Sequence, residues 1–151
     1  MDKDLNALKK LKFYREFDET IREKILEISE IREYKVNEMI FDEYQELKEL
    51  FILVEGTVIL GIYVPKKGQI NLDTVQPGQL FSWSALFLPN ISTAYAIATV
   101  PVKVLAIKAS RIHELIGDND TFGYIFMKII SKTLSQRLSD TRFQLVNLVN
   151  I

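Results

Sequence analysis

The sequence predicts a mainly β protein with flanking helices: an antiparallel jelly-roll β-barrel with N-terminal helices and a long C-terminal dimerisation helix. Three observations carry this expectation. Between residues 31 and 108 the apolar residues come in short runs broken by Gly, Pro, Asn and charged turns, the pattern of many short strands. Before and after that stretch they recur with helical spacing, and from Met127 they fall into a seven-residue repeat. With 151 residues and 48% hydrophobic content, the chain suffices for one core of ordinary size and is short for two. A single domain over 1–151 is expected: helices over 1–30, the jelly roll over 31–108, helices over 110–151.

Leu5, Leu8 and Leu11 lie among lysines on one helical face, and Asp18 then opens a second helix. Ile21, Ile25 and Ile28 have amphipathic spacing there, and Glu19 and Glu23 occupy the first turns, where the helix dipole favours negative charge. From Ile31 the period changes. Glu33-Tyr34-Lys35-Val36 alternates, Met39-Ile40-Phe41 is a short apolar run, and Leu50 to Val54 is a fuller one that ends at Glu55-Gly56. A strand over Thr57–Val64 stops at Pro65-Lys66-Lys67-Gly68, a breaker-rich turn that closes a hairpin onto Gln69–Val75. Thr93–Val100 and Val102–Ile107 supply two more strands divided by Pro101. About eight strands at this spacing suit two sheets closed around an interior. Ser110–Ile116 reads as a short helix, and from Asp120 the pattern is helical.

On that last helix Met127, Leu134, Thr141 and Leu148 repeat every seven residues, interleaved with Ser131, Leu138 and Leu145. The 3-4 spacing makes one seam along the helix. A seam of this kind either packs on the β-domain or meets a second copy. Phe122, Ile125, Phe126, Ile129 and Ile130 already furnish another face for the β-domain, so Met127, Leu134, Leu138, Thr141, Leu145 and Leu148 are assigned to a homodimer interface.

Composition excludes several function classes. Net charge is −1, with the acidic excess in the first 50 residues and the basic excess after them, and neither part is basic enough for nucleic acid. Cysteine is absent and His113 is the lone histidine, which rules out thiol chemistry and Cys- or multi-His metal sites. His113 reads as a surface or helix-start residue. No apolar run is long enough for a membrane span and Met1-Asp2-Lys3-Asp4 opens no secretory signal, so a cytoplasmic protein is expected. No P-loop is present and the serines lack a nearby histidine base, so no enzyme is expected.

The segment Gln79–Ala98 is the most specific in the chain. Pro77-Gly78 leads to Phe81, then Ala85-Leu86, then Thr93-Ala94. This order resembles the phosphate-binding cassette of the cyclic-nucleotide-binding domain family, of the Crp/Fnr sensor type. Leu50–Val58 with Gly56 is similar to the family's strand-turn-strand signature, and Val104–Ile107 to its closing strand. The likeness runs over residues 5–148, with departures at Asn37 and Tyr44, turn positions where family members often carry glycine.

The resemblance implies a non-catalytic regulatory or sensor protein and a parallel two-fold homodimer through the last helix. It further implies a pocket in which a cassette Arg grips a cyclic phosphate and a Glu accepts from the ribose, under a helix that touches the base. The matching positions here hold Ser92 for the Arg, Trp83 for the Glu and Ser82 for the Gly, while Thr141 and Arg142 match the helix pair. A neutral hydroxyl replaces a charged fork, so phosphate affinity falls by several kcal/mol at about 1.5–3 kcal/mol per charged hydrogen bond. Family transcription factors carry a helix-turn-helix domain after this helix; none follows Ile151, and no direct nucleic-acid contact is expected.

The candidate pocket therefore comprises Phe81, Ser82, Trp83, Ser84, Ala85, Ser92, Thr93, Thr141 and Arg142. Two readings of Trp83 stay open: its ring offers a stacking wall to a different small ligand, or it fills the nucleotide's place. The hydroxyls of Ser82, Ser84, Ser92 and Thr93 could hold a small anion without an Arg. Arg142 either reaches inward to replace the missing Arg or stays solvated. The expectation is thus a regulatory protein that does not take cyclic AMP in the usual way, with no cofactor and an unidentified protein partner; the alternative is a ligand-independent dimeric interaction module.

Overall fold

A computed structural model describes residues 9–149; of the helical face assigned to Leu5, Leu8 and Leu11, the first two lie outside the described residues and Leu11 is extended (φ −70°, ψ 132°), the cap before the first helix rather than part of one. A short helix α1 (Lys12–Arg15) and α2 (Glu19–Glu27) lead into eight strands: β1 (Ser29–Tyr34), β2 (Met39–Phe41), β3 (Glu49–Glu55), β4 (Val58–Val64), β5 (Gly68–Val75), β6 (Leu80–Phe81), β7 (Tyr95–Ala98) and β8 (Val102–Lys108). Helices α3 (Ala109–Asp118) and α4 (Asp120–Val149) follow. Asp18 caps α2 by accepting from the Ile21 amide at 2.9 Å, and Asn119 caps α4 by accepting from Phe122 at 2.9 Å.

The strands form two four-stranded antiparallel sheets, ordered β1-β8-β3-β6 and β2-β7-β4-β5. That order is the double-sheet jelly roll of the sequence-based expectation. Leu50 to Val54 of β3 are buried without alternation, because the strand is central and the helices cover its sheet's outer face. Across that sheet Arg32 of β1 makes a two-pronged ion pair with Glu49 of β3 at 2.7 and 2.9 Å; this hydrogen bonding raises the guanidinium pKa above its ordinary value.

Two aromatic clusters organise the core. Phe41, Phe51 and Phe81 stack between the sheets, with centroids 5.2–6.4 Å apart. Phe13, Phe17, Phe122 and Phe126 join the N-terminal segment to the start of α4. Ile130 ends the buried stretch of α4, and from Leu134 onward the helix leaves the core.

Several element ends differ from the sequence reading: β4 starts at Val58, β5 at Gly68 and β8 ends at Lys108, each one residue off, and three others have a visible cause or a larger shift. β1 starts at Ser29, not Ile31, because Ser29 and Glu30 already pair with Ile107 and Ala106. β7 is confined to Tyr95–Ala98 instead of Thr93–Val100, since the backbone of Ser92 bonds to Tyr44 and Gln45 rather than to a sheet neighbour. The helix read as Ser110–Ile116 runs from Ala109 to Asp118. Gly56 has φ +96°, and a Cβ there would lie 2.6 Å from the Pro101 carbonyl, so the turn after β3 admits only glycine. Asn37 (φ +67°) and Tyr44 (φ +60°) keep the left-handed turn geometry without glycine.

Candidate ligand site

The cassette is built on a type II turn. Gln79 N donates to Gln76 O at 3.0 Å, Pro77 fixes the second position and Gly78 takes φ +91° at the third. The turn delivers Leu80 and Phe81 as β6, paired to Ile52 and Phe51 of β3. Ser82 is left-handed at φ +70°, and its hydroxyl donates to the Glu49 carbonyl at 2.6 Å. That hydrogen bond offsets the strain of a side chain in a conformation that favours glycine. A single 3₁₀ turn, Trp83–Leu86, follows and buries Ala85 and Leu86. Asn90, absent from the sequence-based assignment, closes this turn by donating its side-chain amide to Ala85 O at 2.8 Å.

Ser92, the residue at the place of the cassette Arg, is 2% exposed. Its hydroxyl donates to the Asp42 carbonyl and accepts from the Gln45 amide at 3.0 Å. It thereby ties the cassette to the 42–45 turn and has no donor left for a ligand. Ser84 and Thr93 make no side-chain hydrogen bond among the described residues, Ser84 half-buried and Thr93 exposed.

Trp83 is half-buried over the cassette, and the Arg137 guanidinium of α4 stands 5.5 Å from its ring centre. The same guanidinium forms an ion pair with Asp73 of β5, the two side chains 11% and 18% exposed, and donates to Leu80 O at 3.3 Å. Arg137 thus joins α4, β5 and β6 in one clasp. Thr141 and Arg142, expected above the pocket, are exposed and line no part of the cassette cavity; the Thr141 hydroxyl donates back to Arg137 O at 2.9 Å. A quarter-turn offset separates Arg142 from the face of Thr141, whereas Arg137 lies one turn before Thr141 on the same face. That i, i+4 spacing was the available signal for Arg137.

The remaining cavity among Phe41, Leu47, Leu60, Ser82, Trp83 and Thr93 measures about 30 Å³. One water fills such a space, while small-molecule pockets run to roughly 300–1,000 Å³. Beside it Tyr95 is fully buried, its hydroxyl donating to Asn71 Oδ1 at 3.1 Å and its ring packed over Gly61, where a Cβ would collide with it. Burial first, then Tyr63 and Glu43, raise its pKa above the usual 10.0. His113 sits exposed on α3, its Nε2 3.1 Å from Leu86 O.

Known proteins share this fold. The family model described as cyclic nucleotide-binding domain matches residues 31–119, more than half of the 151. The chain belongs to the cyclic nucleotide-binding domain family. A cyclic nucleotide-binding domain from Methylobacillus flagellatus aligns over 95% of this chain and 80% of its own, at 14% identity and a TM-score of 0.81. A Geobacter metallireducens protein, provisionally described as cyclic nucleotide-binding, aligns over 85% of this chain and 92% of its own, at 29% identity and a TM-score of 0.73. The regulatory subunit of a cAMP-independent protein kinase A from Trypanosoma brucei aligns over 95% of this chain and 50% of its own, at 13% identity and a TM-score of 0.75. No curated protein matches the chain. Among the described residues no cluster of three His, Cys, Asp or Glu side chains is placed to hold a metal ion, and no helix is long and apolar enough to cross a membrane.

Proposed function

We propose that this chain is a non-catalytic regulatory module of the cyclic nucleotide-binding domain family that accepts no cyclic nucleotide in its cassette and works as a homodimer through α4. One observation carries the reading: the cassette cavity of about 30 Å³ is covered by Trp83, whose ring is held under Arg137. In a family where the ligand bridges cassette and helix, the Trp83–Arg137–Asp73 clasp supplies that bridge from the chain itself. One feature supports dependence on a second copy: Leu134, Leu138, Leu145 and Leu148 of the seam are 37–68% exposed, while Met127 at its start packs on the core.

Calorimetric titration of the native protein with cyclic AMP, cyclic GMP and cyclic di-GMP is expected to give no binding heat. The Trp83→Glu, Ser92→Arg double variant, checked for folding by circular dichroism, is expected to gain cyclic AMP binding. A ligand at 100 times its Kd adds about 2.7 kcal/mol of stability, which a thermal melt resolves readily. There is a parallel in the Trypanosoma brucei subunit, described as cAMP-independent, of which a triple mutant that includes a Thr-to-Arg change is bound to cAMP. Saturable cyclic-nucleotide binding by the native protein would overturn the proposal.

A further inference from the structure

A second hollow, separate from the cavity under Trp83, lies between α1, the start of the cassette at Gly78–Leu80 and the Tyr124–Asp140 stretch of α4. Its volume of about 350 Å³ falls inside the range of small-molecule sites. The floor is apolar: Phe13 and Leu80 are buried, Ile125 and Ile129 half-buried. The rim is cationic. Lys12, Lys128 and Lys132 line it, exposed and without a hydrogen bond or ion pair among the described residues. Against these three stand Glu16 and Asp140, and Asp140 already accepts from the Gln136 amide at 2.9 Å. Lys128 and Lys132 are one helical turn apart, an arrangement of like charges that is mildly unfavourable until an anion sits between them.

We infer that this hollow binds a small amphipathic anion: an apolar chain or ring over Phe13, Leu80 and Ile129, with a single carboxylate or phosphate head between Lys128 and Lys132. The apolar part contributes the burial and the head is fixed by charge-assisted hydrogen bonds. Lys128 and Lys132 each follow a seam residue, Met127 and Ser131, so at about 100° per residue they stand off the seam and remain accessible in the homodimer proposed above. Arg137 lines the far end of the same hollow. An occupant therefore touches the residue that fastens α4 to Trp83 and Asp73, which gives a ligand control over the helix without entering the cavity under Trp83.

The test is calorimetric titration of the full chain with decanoate and decyl phosphate, each below its micelle concentration, and with uncharged decanol below its solubility limit. Both anions are expected to bind, the tighter of the two identifying the preferred head, and decanol to bind at least tenfold more weakly. The Lys128→Gln, Lys132→Gln double variant is expected to melt like the native protein and to lose at least tenfold in affinity for both anions. Absence of binding by either anion, decanol affinity equal to theirs, or full affinity in the double variant would each overturn the inference.

Discussion

Five described residues other than glycine hold φ between +60° and +71°: Asn37, Tyr44, Lys66, Ser82 and Asn90. Each is a place where backbone geometry outlasts the residue type that ordinarily provides it. Asn is tolerant there through its own side-chain hydrogen bonding, while Ser82 depends on the Glu49 carbonyl. In the sequence alone the hydroxyls of Ser82 and Ser92 are free to hold a ligand. Their acceptors, the carbonyls of Glu49 and Asp42, lie 33 and 50 positions away, beyond any local pattern. Tyr95 yields a prediction at this scale. Its folded pKa is raised above 10.0, so as pH climbs past that value the unfolded chain releases a proton that the fold retains. Stability is therefore fully present below pH 10 and declines through the folded pKa. In urea titrations across alkaline pH, Tyr95→Phe should lose the Asn71 bond yet show a shallower alkaline decline than the native protein.

Helix α4 does two jobs along its length, and the change occurs near Ile130. Its first three turns are core, with Phe122, Phe126 and Ile130 buried, and its later turns carry apolar side chains into solvent. Periodicity made both faces visible in the sequence: burial imposes the helical repeat on the first, and the second carries the seven-residue repeat of the proposed seam. It could not show which polar side chain turns back to the barrel. The pairing of Arg137 with Asp73 spans 64 positions, and charge on a helix face ordinarily means solvent. Because the pair is largely buried, breaking it from one side is expensive. Arg137→Met or Asp73→Ala alone should cost about 2–4 kcal/mol, less than a fully buried pair because some exposure remains. The double variant should recover part of that loss, giving a coupling energy of about 1–3 kcal/mol in a double-mutant cycle from chemical unfolding. Strictly additive losses would show that the two side chains do not depend on each other.

For the whole molecule, the jelly roll was readable because short apolar runs and the Gly- and Pro-containing turns between them agree with one another from β1 to β8. The state of the cassette was less so, since whether a tryptophan walls a cavity or fills it depends on how far α4 leans on the barrel. Association belongs to this scale too. Leu138 is 51% exposed at the middle of the seam, so Leu138→Lys disturbs no core contact. Sedimentation is expected to shift from dimer to monomer in that variant with an unchanged circular dichroism spectrum, and an unshifted dimer would remove the seam assignment. One further consequence concerns light. Trp83 is the only tryptophan in the chain, and a cation rests on its ring. Every emitted photon excited at the indole edge therefore originates at the junction of helix and barrel, so the molecule carries its own optical gauge of whether that junction is fastened.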